Sequence, residues 1–61
     1  MRYNPIARAR FCERMDINCL TVDKWEEYIE GWRWRENREY PPDDISNVQG
    51  MGYVDAMADL G

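Results

Sequence analysis

The stretch that decides the fold is Phe11-Cys12-Glu13-Arg14-Met15-Asp16-Ile17-Asn18-Cys19-Leu20-Thr21-Val22-Asp23-Lys24-Trp25-Glu26. Ala7, Phe11 and Met15 recur every fourth residue, the spacing of one helix face, while Arg10, Glu13 and Arg14 fall on the other side. Asp16-Ile17-Asn18 interrupts that period, because Asp and Asn favour turns over continued helix. The period then resumes. Val22, Trp25, Ile29 and Trp32 form a second apolar stripe behind a cap at Asn18 or Thr21, with Glu26, Glu27 and Glu30 on its wet side. The stretch thus predicts two helices meeting at a corner, with Phe11, Met15, Ile17, Val22, Trp25 and Ile29 buried together.

Upstream, Asn4-Pro5 opens the first helix well: Asn caps, and Pro at the first helical position gives up no hydrogen bond. Downstream, Gly31 is placed to end the second helix. The alternation Trp32-Arg33-Trp34-Arg35 suits an extended segment or tight loop, and Pro41-Pro42 is a firm breaker. Asp43 or Asp44 then starts a short helical turn holding Ile45 and Val48 and closed by Gly50. Tyr53, Ala56, Met57 and Leu60 complete an amphipathic helix with Asp55 and Asp59 outside. Helices are expected near 5–15, 20–30 and 53–60, with little or no sheet. The fold class is all-α: one domain over 1–61, a bundle of three to four short helices with a helix-turn-helix-like corner.

Composition limits what such a domain does. A chain of 61 residues buries only about 60% of its unfolded surface, so its core is marginal. Three Trp, four Tyr, four Met and one Phe supply most of the apolar payload. The absence of His removes the commonest general base and metal ligand. Cys12 and Cys19 are too few for a zinc site or a disulfide framework and read as structural thiols. Glu26, Glu27 and Glu30 read as a solvated helix face. The chain is therefore expected to be no enzyme and to use no cofactor, metal or catalytic residue. With no signal-like or membrane-spanning run, it is expected in the cytoplasm with reduced thiols and no membrane contact.

Net charge is −4, unevenly spread. Residues 1–38 hold all eight basic and seven acidic residues, while 39–61 hold five acidic and no basic ones. This acidic C-terminal segment implies two faces with different partners or an acidic tail. The Trp-Arg-Trp-Arg run could be a core edge, a protein contact or a platform for single-stranded bases. As a protein contact, its anchors are Tyr28, Trp32, Arg33, Trp34, Arg35 and Tyr40. Asp43, Asp44, Asp55 and Asp59 would steer the chain toward a basic, nucleic-acid-binding surface. Their plainer roles are capping for the first pair and solvation for the second.

The 11–26 stretch resembles the helix-turn-helix of Cro and phage repressors. That family's pattern runs leucine-alanine, two polar residues, leucine-glycine-valine-serine, two variable residues, then threonine-valine-serine-arginine-tryptophan-glutamate. Phe11, Met15 and Ile17 match its apolar positions, Cys12 stands for the alanine and Asn18 for the capping serine. Thr21, Val22, Trp25 and Glu26 match outright. The resemblance implies a dimeric DNA-binding regulator using Arg10, Arg14, Asn18, Cys19, Leu20 and Lys24. Base reading needs Gln, Asn, Arg or Ser at the start of the second helix, where this chain offers Cys19, Leu20 and Asp23. DNA binding is therefore the alternative here, and weak binding is expected.

In size, charge and composition the chain also resembles small phage-encoded inhibitors of the anti-CRISPR class. That likeness implies a non-catalytic module that occludes a site on a larger protein, as a monomer or homodimer. Trp25 is the keystone of the predicted core, and Trp25→Ala should cost roughly 3–5 kcal/mol, comparable to the stability of such a domain. An unchanged melting temperature in that variant would refute the assignment.

Overall fold

A computed structural model describes residues 4–60, apart from the side chain of Cys19. Helix α1 spans Pro5–Arg14, and the Asn4 side chain caps it by accepting the Ala7 N–H at 3.1 Å. A 3₁₀ turn follows at Ile17–Cys19. Helix α2 spans Val22–Glu36, capped by the Thr21 hydroxyl, which accepts the Lys24 N–H at 3.3 Å. Helix α3 spans Asn47–Leu60. The described residues hold no strand, and the domain is all-helical. No helix among them is long and apolar enough to cross a membrane.

Helix α2 passes through Gly31 rather than ending there, and carries Trp32-Arg33-Trp34-Arg35 as helix, not as extended chain. The stripe Trp25, Tyr28, Ile29 and Trp32 simply continues its period, and burying it outweighs one poor helix former. Helix α3 likewise joins what were predicted as a short turn and a separate final helix. Its start is a reciprocal capping box. The Ser46 hydroxyl accepts the Gln49 N–H at 3.2 Å, and the Gln49 side chain accepts the Ser46 N–H at 2.9 Å. Asp43 and Asp44 lie in the turn before it.

The glycines explain the architecture. A Cβ on Gly31 would lie 1.9 Å from the Gln49 carbonyl oxygen, and one on Gly52 would lie 2.0 Å from that of Tyr28. Each helix offers a glycine to the other's backbone, so α2 and α3 cross in direct main-chain contact. Along α3, Val48, Gly52 and Ala56 recur every fourth residue and form the buried seam.

Helix α1 lies against this pair through Ala7 and Phe11, both fully buried. The Phe11 ring sits 5.4 Å from Trp25 and 5.2 Å from Tyr28, and Tyr28 is 6.3 Å from Trp32. The Arg8 guanidinium covers the cluster, 5.1 Å from Trp25 and 5.3 Å from Phe11, a cation–π arrangement. The Trp32 Nε1–H is buried without a hydrogen-bond acceptor among the described residues.

Phe11, Trp25 and Ile29 are core residues as expected, and Met15 is half-buried against them. Ile17 and Val22 are not: Ile17 is 83% exposed in the 3₁₀ turn, and Val22 projects from the first turn of α2 into solvent. Leu20 packs on that side of the core instead. The connection between α1 and α2 runs from Met15 to Thr21, longer than the 3–4-residue turn of a helix-turn-helix.

Opposite outcomes are expected at neighbouring glycines. Gly31→Ala or Gly52→Ala drives a methyl into backbone that cannot yield, and should leave the chain unfolded by circular dichroism at 25 °C. Gly50→Ala meets only Ile45 Cδ1 at 3.6 Å, an ordinary contact. It should raise stability by roughly 0.5–1 kcal/mol through helix propensity.

Candidate functional site

Four residues from the two candidate sets pair with one another. Arg10 and Arg14 stand one turn apart on α1, and Asp55 and Asp59 one turn apart on α3. Arg10 donates from Nε to Asp59 Oδ2 at 3.1 Å and from Nη2 to Oδ1 at 2.6 Å. Arg14 donates from Nε to Asp55 Oδ2 at 3.1 Å and from Nη2 to Oδ1. Both are bidentate forks, the geometry in which a guanidinium holds a carboxylate best. Tyr28 on α2 adds a third bond, its hydroxyl donating to Asp55 Oδ2 at 2.6 Å. Asp55 is thus a buried node, 4% exposed, that ties all three helices together.

This corrects the expectation that Asp55 lies outside, since Asp55 is buried. Asp59 is exposed as expected, and Arg10 engages it there. Tyr28 and Trp32, expected as partner anchors, are fully buried core residues, because α2 extends past Gly31 and their positions continue its inward stripe. Arg10 and Arg14 spend their donors on carboxylates rather than facing solvent unpaired. Asn18 and Lys24 are exposed, Leu20 is half-buried, and Cys19's side chain lies outside the described residues. Cys12 is exposed.

Turning its acids inward makes α3 present its other side chains outward. Val54, Met57 and Leu60 are 57%, 43% and 46% exposed, with Gly50 and Ala58 on the same side. The outer face of α3 carries no charge. Sequence periodicity missed this face because Asp at two positions normally marks the wet side of a helix.

The remaining candidates lie in the last turn of α2 and in the connection from α2 to α3. Arg33, Tyr40, Asp43 and Asp44 are exposed, and Trp34 and Arg35 half-buried. Arg38 N–H donates to the Arg35 carbonyl at 3.1 Å, and Glu39 N–H to that of Trp34 at 2.7 Å. This is the paired closure that normally places glycine at the left-handed position. Here Arg38 holds it, with φ 59°, a conformation costing a non-glycine residue roughly 1–2 kcal/mol. Arg35, Arg38, Glu39, Tyr40 and Tyr53 line an open pocket of about 240 Å³ beside it. Among the described residues no three Cys, Asp or Glu side chains are grouped to hold a metal ion.

Burial pushes the Asp55 carboxyl up, but the bonds from Arg14 and Tyr28 and the charges of Arg14 and Arg10 outweigh it, leaving its pKa below the usual value. A depressed folded pKa contributes stability that is present above the unfolded value, about 3.9, and is lost as pH falls through the folded one. Burial first, then the bond to Asp55 and its charge, raises the Tyr28 hydroxyl. Its contribution is present below pH about 10 and fades as pH climbs from there. Melting temperature should therefore hold from about pH 4.5 to 9 and fall on both sides. Asp55→Asn should flatten the acid limb, and Tyr28→Phe the alkaline one. Asp55→Ala at neutral pH should cost about 2–3 kcal/mol, the lower range for a buried pair because Arg14 is half-exposed. Acid limbs of equal steepness in wild type and Asp55→Asn would refute the node.

No protein-family model, curated protein or solved structure matches the chain, so its own geometry carries the functional reading.

Proposed function

We propose that this chain is a small non-catalytic protein-binding module that acts by occluding an apolar groove on a larger protein, with α3 as its contact element. The observation that carries this is the inverted polarity of α3: its carboxylates face α1, and its uncharged face, with Val54, Met57 and Leu60, faces solvent. An amphipathic helix seated in a groove uses anchors at this kind of spacing. Helix α3 has 14 residues and is roughly 21 Å long at 1.5 Å per residue. A strip that short and one helix wide falls well below the roughly 800 Å² per partner of a stable interface when two copies lie flat together. A groove that wraps the helix flanks covers more of it, which favours a larger partner over a second copy. Occlusion is also the mode of action that the likeness to phage-encoded anti-CRISPR inhibitors implies.

The helix-turn-helix regulator reading is weaker. Its backbone contacts would come from Arg10 and Arg14, which already hold Asp59 and Asp55. Lys24 stands exposed among Asp23, Glu26 and Glu27, and a polyanion needs a basic face.

Met57→Glu places one charge in the middle of the face at an exposed helical position, so it should leave the circular dichroism spectrum and melting temperature unchanged. The wild-type chain should capture one defined protein from a bacterial lysate. Met57→Glu should weaken purified binding at least tenfold, and Glu26→Gln should not. Undiminished binding by Met57→Glu, or a homodimer dissolved by that substitution in sedimentation equilibrium, would overturn the reading. An operator bound at about 10⁻⁸ M or tighter at physiological salt would replace it with the regulator.

A further inference from the structure

We infer that the pocket of Arg35, Arg38, Tyr40 and Tyr53 receives an acidic side chain from a protein partner. Three observations meet there. Among the described residues Arg33, Arg35 and Arg38 form no ion pair, although the chain has an acidic excess. Tyr40 is 94% exposed beside them, a large aromatic left in water next to a pocket that takes one side chain. Arg38 occupies a left-handed position where glycine would be at ease.

The helix macrodipole accounts for cations in the last turn of α2, and so for Arg33 and Arg35. It does not account for Arg38, which lies beyond the helix end in a conformation unfavourable to any side chain. Strain of this kind persists where the side chain has a task. The guanidiniums of Arg35 and Arg38 offer forked donors to a carboxylate, and the Tyr40 and Tyr53 hydroxyls and ring faces suit its polar head and short stem.

Glu39 lines the same pocket and narrows the class of ligand. Its carboxylate accepts a peptide N–H but repels a second anion. A nucleic-acid strand carries a phosphate every few ångströms, and would run from the arginines onto Glu39, Asp43 and Asp44. A single carboxylate on a peptide backbone meets no such penalty. This site rests on the protein-binding reading, yet Met57 does not line it, and it is testable without the larger partner.

The test is a ¹⁵N NMR titration of the full chain with acetyl-Ala-Glu-Ala-amide, its Gln counterpart, and a short oligothymidylate. The acidic peptide should produce saturable shifts at Arg35, Arg38, Tyr40 and Tyr53, and the Gln peptide none. Arg35→Gln should weaken binding about tenfold, the loss of one charge-assisted bond. Arg38→Gly should do the same while raising the melting temperature by about 4–8 °C, because the strain is removed. Met57→Glu should bind the peptide as wild type does, so failure of the α3 reading and failure of this one remain distinct. Equal shifts from the Gln peptide, undiminished binding by Arg38→Gly, or shifts at these residues with oligothymidylate at lower concentration than peptide would each overturn the proposal.

Discussion

Contact between the backbones of α2 and α3 sets the terms for everything else in this molecule. Gly31 and Gly52 each receive the other helix's main chain at a distance no side chain could occupy. Glycine inside a helix costs roughly 1 kcal/mol in propensity, and α3 carries two of them. The return is close packing. With the helices this near, Tyr28, Trp32, Val48 and Ala56 interlock into a core that a 61-residue chain could not fill with longer side chains held further apart.

The crossing also sets the rotation of α3. Once Gly52 and Ala56 face α2, Asp55 and Asp59 necessarily turn toward α1, since they lie on the adjoining strip of the same helix. A carboxylate placed there must be paired, because an isolated buried charge is not sustainable. Arg14 and Tyr28 satisfy Asp55, and Arg10 satisfies Asp59 nearer the surface. The polar node is therefore a consequence of the glycine contact, and it also gives α1 a defined register: two arginines one turn apart meet two aspartates one turn apart.

What is left for solvent follows by subtraction. The uncharged side of α3 and the arginine–tyrosine end of α2 are two parts of the surface that neither the core nor the ion pairs consume. One is apolar where a helix is normally charged; the other is cationic and aromatic on a net anionic chain. Tyr53, which lines the pocket at the second, stands one turn before Met57 on α3.

Local signals determined much of this. Asn4-Pro5 and Thr21 start their helices because capping depends on neighbouring backbone alone, and the periodicity of Phe11, Trp25 and Ile29 placed them in the core. The Ser46–Gln49 capping box is equally local, but Asp43 and Asp44 offer competing starts and Gly50 a stop, and these signals split α3 into a short turn and a separate final helix. Tertiary structure alone decided the rest. A glycine reads the same whether it ends a helix or admits a neighbouring backbone, so Gly31 and Gly52 acquire their meaning only when the second helix is present. An aspartate reads as solvated until arginines from a segment more than 40 residues away in sequence reach it. Which side of α3 is outside depends on that pairing, because burial is a property of what packs against a helix and not of the helix itself.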